Sequence, residues 1–235
     1  MAMRDLAIDH RNSPQVSGIE FSDLRLAGYR NVNALFPQYD RVYGRETLCG
    51  DWNGTTLILS QDFQHTSELK RRLSEDSERN PFFHGQKRAT RLLCSLIEPK
   101  HEVSIDGTTA KTCGAVIGDA IWLLRDTDVP DYRPTPEAAI NVSRPVLLRT
   151  IEAMPNLDTI LCLGRWAYYA ALSACDVEGE WPTDSGRRRW RDAGGIRICS
   201  MASLSRRGIR VRTGHFPSAK STAILAEDFR SALAC

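Results

Sequence analysis

Three short runs of nearly unbroken apolar sequence limit what this chain can fold into: Thr55-Thr56-Leu57-Ile58-Leu59, residues 115–124, and Thr159-Ile160-Leu161-Cys162-Leu163. An alternating pattern would leave one sheet face in water. A continuous run rich in Ile, Leu and Thr predicts a strand buried on both faces. Each run is followed by apolar positions at helical spacing. Ala89, Leu92, Leu93, Leu96 and Ile97 define a helix over residues 86–97. Ser143 as cap and Pro145 in the first turn start a second helix, with Leu147, Leu148 and Ile151 on its buried face. Gly164 turns the third run into a helix through residue 172. Residues 196–201 and 209–212 read as further strands, and the Ala-rich stretch 219–234 as a closing helix. This alternation predicts an α/β fold, a three-layer α/β/α architecture with a central, mostly parallel sheet of about four or five strands.

A chain of 235 residues can bury a large core and remain one domain, so a single unit over 1–235 is expected, with residues 1–50 packed on it as an N-terminal segment. Phe21, Leu24, Leu26, Val32 and Leu35 give that segment one helix over residues 19–35. Seven scattered cysteines, with no Cys-x-x-Cys pair, argue against a disulfide framework and against a zinc or iron–sulfur site. Asp or Arg interrupts every apolar stretch before it could span a bilayer. Met1-Ala2-Met3-Arg4-Asp5-Leu6 lacks the apolar centre of a secretory signal. The expectation is a cytoplasmic monomer with no membrane partner, no metal and no cofactor.

The formal net charge is only +2, which excludes a global electrostatic case for a polyanionic partner. The local distribution makes one. Arg187, Arg188, Arg189, Arg191, Arg197, Arg206, Arg207, Arg210 and Arg212 are opposed within that stretch by Asp192 alone. Such a cluster attracts phosphates by releasing their counterions, although a solvated surface loop would look the same.

In parallel sheets, ligands sit beyond the carboxyl ends of the strands. Beyond the first run lies Ser60-Gln61-Asp62-Phe63-Gln64-His65, which offers a carboxylate, an imidazole and an amide. Beyond residues 209–212 lies Thr213-Gly214-His215-Phe216-Pro217-Ser218, where Ser218 can cap the closing helix. A carboxylate on one strand end facing a histidine on another is a recurring arrangement for cleaving a polar bond. Each residue also has a structural reading, as a turn Asp or a packed His.

The segment Ser60-Gln61-Asp62-Phe63-Gln64-His65 resembles the first motif of the uracil-DNA glycosylase superfamily, commonly GQDPYH. His215-Phe216-Pro217-Ser218-Ala219-Lys220-Ser221 resembles the second, commonly HPSPLS, with Phe216 as an extra residue. Asn80-Pro81-Phe82-Phe83-His84-Gly85 is similar to a Pro-Phe-x-Gly segment of several branches, and the strand–Gly–helix of residues 161–172 to the third strand and its helix. The likeness runs in the expected order from Leu57 to Phe229.

The resemblance implies a DNA glycosylase that flips a deaminated or damaged base and hydrolyses its N-glycosidic bond. Asp62 would stabilise the cationic sugar and orient water, and His215 would bond the departing base. Phe82, or alternatively Phe83, would stack on that base. Gln61, Phe63, Asp119 and Ser218 would complete the base pocket, and Arg206, Arg207, Arg210, Arg212 and Lys220 would hold DNA, single- or double-stranded. The family usually reads uracil with an Asn on the second strand, where this sequence has Asp119 or, in another alignment, Arg125. An ionised Asp accepts hydrogen bonds but cannot donate one. Ser60 and Phe63 replace the motif's Gly and Pro, and Ala219 and Lys220 stand where the family often has a wedging Leu. These departures leave open a catalytically silent nucleobase- or DNA-binding module on the same fold. No Gly-rich phosphate loop and no Gly-x-Ser-x-Gly elbow supports a different hydrolase.

Overall fold

A computed structural model describes residues 29–30, 52–62, 100–105, 108–113, 115–121, 124–125, 137–182, 190–215 and 218–233. In chain order its strands are β1 (Tyr29–Arg30), β2 (Thr56–Asp62), β3 (Lys100–Ile105), β4 (Thr108–Cys113), β5 (Ala115–Ile121), β6 (Leu124–Arg125), β7 (Thr159–Leu163), β8 (Trp190–Ala193) and β9 (Ile196–Met201). The described helices are α1 (Glu137–Glu152), α2 (Arg165–Ala174), α3 (Arg206–Thr213) and α4 (Ala219–Leu233).

The three apolar runs form the adjacent strands β5, β2 and β7 of a five-stranded sheet of order β5-β2-β7-β9-β8, with β5 at one edge. β2 pairs parallel with β5 and β7, and β7 pairs parallel with β9. β8 is the antiparallel edge. Alternate residues feed two apolar clusters, one on each face. Leu57, Leu59, Ile160, Cys162 and Ile198 pack with Ala139, Val146 and Leu147 of α1 and Ala167, Tyr168 and Leu172 of α2. Ile58, Leu161, Leu163, Cys199 and Met201 pack with Ile209 of α3 and Leu225 and Phe229 of α4. An α/β fold with a mostly parallel sheet is therefore the architecture, and its four parallel strands end along one edge.

Several boundaries depart from the sequence expectation. The second run splits: β5 stops at Ile121, and β6 leaves the large sheet to pair antiparallel with β1. Tyr29 and Arg30 are thus extended where a helix over 19–35 was expected; the rest of that segment, like the helix over 86–97, lies outside the described residues. α1 starts at Glu137 and runs through Ser143 and Pro145. Burial of Ala139 and Ile140 outweighs the one helical hydrogen bond that Pro145 cannot donate, and Asn141, whose carbonyl it would have met, is exposed. Residues 209–212 are helical, not extended. Ser205 caps α3 by accepting from Gly208 N–H at 3.0 Å, and Gly214 closes it in the left-handed region. A strand would have set Ile209 and Val211 on one face; the helix buries Ile209 and leaves Val211 66% exposed.

Two hairpins lacked a sequence expectation. β8 and β9 are joined by Gly194 and Gly195, both at positive φ (64° and 95°), which suits a tight turn. β3 and β4 flank Asp106-Gly107, a dipeptide with the same turn preference.

Candidate functional site

The carboxyl ends of β5, β2, β7 and β9 lie side by side because the four strands run parallel. Ser60 pairs in register with Asp119, and Asp62 with Ile121. In-register residues of parallel neighbours share a face, so the Ser60 hydroxyl reaches across and donates to Asp119 Oδ1. Asp119 is only 3% exposed. A buried carboxylate with a fixed hydroxyl donor is a preorganised hydrogen-bond acceptor. Arg125, the alternative at this position, lies on β6, outside the five-stranded sheet.

Gly164 directly follows β7, with φ 109° and ψ 167°. Its N–H donates to Met201 O at 2.9 Å, which ties the end of β7 to that of β9. A side chain at Gly164 would place its Cβ 3.4 Å from Ser203 Cβ and 3.8 Å from Gln61 Oε1. A Cβ there would make only ordinary contacts with Gln61 from β2 and Ser203 from the loop after β9; it is the positive φ that calls for glycine at the end of β7. At Gly208 the constraint is space. A Cβ there would stand 2.2 Å from Ser203 O, so α3 can sit against the loop only with Gly at that position. Within the loop, Ser203 Oγ donates to Ser205 Oγ at 3.2 Å and accepts from Ser205 N–H at 3.3 Å. Gln61, Gly164 and Ser203 thus meet past the end of β7, and Asp119 lies with Ser60 on the neighbouring strand pair at the same edge. Ser203 carried no signal of its own; the Ser205-x-x-Gly208 spacing of a capped helix was the readable trace.

Asp62 is the last residue of β2, and its side chain lies outside the described residues. Phe63 and Phe82 lie outside them altogether, as do Phe83 and Arg187 to Arg189. His215 is half-buried, but it follows α3, not a strand, so a whole helix separates it from the end of β9. What directly follows β9 is Ala202-Ser203-Leu204-Ser205. Ser218 caps α4: Ser221 N–H reaches its Oγ at 3.3 Å, and its own N–H reaches Ser221 Oγ at 2.8 Å. That reciprocal pair is the structural role its sequence position predicted.

The basic residues divide. Arg212 is committed to Asp228, donating from Nε and Nη2 at 2.6 and 2.5 Å to a carboxylate that is almost fully buried. It braces α3 against α4 and is a structural arginine. Arg207 and Arg210 lie exposed on α3 and Lys220 exposed on α4; the backbone of Arg206 opens α3. Cys162 and Cys199 are buried, and burial pushes the Cys162 thiol well above its ordinary range, so it is no nucleophile at neutral pH. Among the described residues no group of three His, Cys, Asp or Glu side chains could hold a metal ion, and no helix is long and apolar enough to cross a membrane.

No protein-family model matches the chain, and no curated protein matches it.

Proposed function

We propose that this chain is a DNA glycosylase-like hydrolase of the cytoplasm that takes one deaminated or damaged base out of the stack and hydrolyses its N-glycosidic bond. The observation that supports the reading is the meeting of Gln61 and Ser203 beside Gly164 at the carboxyl edge of a parallel sheet, with Asp119 held by Ser60 on the neighbouring strand pair and Asp62 ending β2 at that edge. It is also the edge at which the uracil-DNA glycosylase-like motif Ser60-Gln61-Asp62 falls.

Asp62 is the acid–base group. Water adds to C1′ of the sugar as the bond from C1′ to the base nitrogen breaks; that bond's electron pair leaves with the base. The water's proton passes to the Asp62 carboxylate, whose negative charge also offsets the cationic character of the sugar. Asp119, an acceptor held by Ser60, reads an N–H edge of the flipped base. His215 or the Ser203 hydroxyl meets the charge that builds on the leaving base. Phe82 stacks on the base face, a contact worth roughly 1–3 kcal/mol.

One observation favours a second reading, a nucleobase- or DNA-binding module without turnover: helix α3 stands between β9 and the only histidine near the closing helix. A panel of single- and double-stranded oligonucleotides carrying uracil, hypoxanthine or xanthine separates the two. Release of one free base, lost in Asp62→Ala and reduced in His215→Ala, supports the hydrolase. Binding without base release from any of them, with Asp62→Asn leaving affinity unchanged, supports the module.

A further inference from the structure

β8 is an edge strand, and its first residue, Trp190, is 50% exposed, which leaves much of the indole open to solvent. Its location follows from register. Trp190 stands opposite Cys199 and Arg191 opposite Ile198. Opposed residues share a face, so Trp190 lies on the face of Cys199 and Met201, which α3 and α4 cover, and Arg191 lies on the other. Because β8 runs antiparallel to β9, its start falls toward the carboxyl ends of the parallel strands. Trp190 is thus one strand spacing, about 5 Å, outboard of the last turn of sheet before the Ser203 loop.

α3 lies over the same face, as Ile209 belongs to the apolar cluster of Cys199 and Met201. Its outward residues include Arg207, Arg210 and Val211. An exposed indole on the sheet face that α3 covers, with exposed guanidinium groups on that helix, combines a stacking face with phosphate-attracting charge on one side of the sheet.

We infer that Trp190 and the outward face of α3 form a platform for single-stranded nucleic acid, with one base stacked on the indole and the adjoining phosphates drawn to Arg207. The surface rests on the proposed function for its relation to a flipped base, extending the contact to nucleotides that flank it. Its recognition is insensitive to sequence, since every base offers a flat face. A duplex, whose bases are stacked on one another, cannot use it without opening.

Fluorescence anisotropy of a labelled, undamaged oligothymidylate with the full chain tests this. Trp190→Ala is expected to weaken binding by about tenfold or more, and Trp190→Phe to keep most of it. Arg207→Ala is expected to lower the slope of log affinity against log salt by about one. Thermal melts of the variants confirm that each is folded. Binding unchanged by Trp190→Ala, equal loss in the Phe and Ala variants, or no binding by the parent chain would each overturn the platform. Base release is measured separately on the same proteins. Trp190-dependent binding without any base release contradicts only the hydrolase, and base release with Trp190-independent binding contradicts only the platform.

Discussion

At the scale of the residue, Asp119 carries the most specific chemistry. Its carboxylate is buried, receives the Ser60 hydroxyl, and sits in register with the motif on β2. In the proposed pocket an acceptor there would select a base edge that donates and repel a carbonyl oxygen. Asp119→Asn is therefore expected to move selectivity toward uracil, measured as the ratio of excision rates for uracil and xanthine in one oligonucleotide context. An unchanged ratio would remove Asp119 from the pocket. Tyr168 shows the opposite condition. Its ring is fully buried, its hydroxyl has no hydrogen-bond partner among the described residues, and burial raises its pKa. Leaving a buried hydroxyl unsatisfied costs about 1–3 kcal/mol. Tyr168→Phe keeps the packing against Trp181 and is expected to raise stability by about 1 kcal/mol in urea unfolding. The apolar run made the strand legible, whereas Asp119 was singled out only by the resemblance, which sets a base-reading residue on the second strand. Ser203 was not legible, since its place beside Gly164 and against Gly208 comes from packing.

At the scale of the element, α3 is where local signals and apparent pattern conflict. Ile209 and Val211 alternate as in a strand, yet Ser205, Gly208 and Gly214 supply a capped and terminated helix. The caps win because only Ile209 has a core to enter. Gly208 also decides how α3 meets the Ser203 loop. Gly→Ala within a helix ordinarily gains about 1 kcal/mol, but overpacking costs about 1–3 kcal/mol. Here the obstructing atom is a backbone oxygen 2.2 Å away, which cannot rotate aside. Gly208→Ala is expected to destabilise by up to about 2 kcal/mol net and, in the proposed hydrolase, to slow base release as the loop shifts; a stabilised variant would refute the close approach. Arg212 and Arg207 make an informative pair. Removing Arg212 takes the guanidinium away from the nearly buried Asp228 carboxylate and is expected to cost roughly 3 kcal/mol of stability without changing the salt slope of nucleic-acid binding. The basic cluster was readable as a whole from sequence. Which arginine brackets α4 was not, because Asp228 lies sixteen residues away and meets Arg212 only through the packing of two helices.

At the scale of the whole molecule, the β2, β5 and β7 strands follow from nearly unbroken apolar runs, and β9 from a shorter apolar pattern that Arg197 and Ser200 interrupt. The division of apolar residues between two faces accounts for the layers, and the parallel direction accounts for one functional edge. The edges of the sheet were less legible: β8 is short, half polar and flagged only by Gly194-Gly195, and β6 is split from β5 by its pairing with β1. The proposed chemistry falls where the parallel strands end, whereas the buried Cys162 and Cys199 serve packing. The most direct test of that account is the yield of alkali-labile abasic sites from a single-stranded oligonucleotide containing one deaminated base. Asp62→Asn is the paired control. The account predicts abasic product from the parent chain and a loss of about a hundredfold or more in the variant. Equal yields from the two proteins would contradict it.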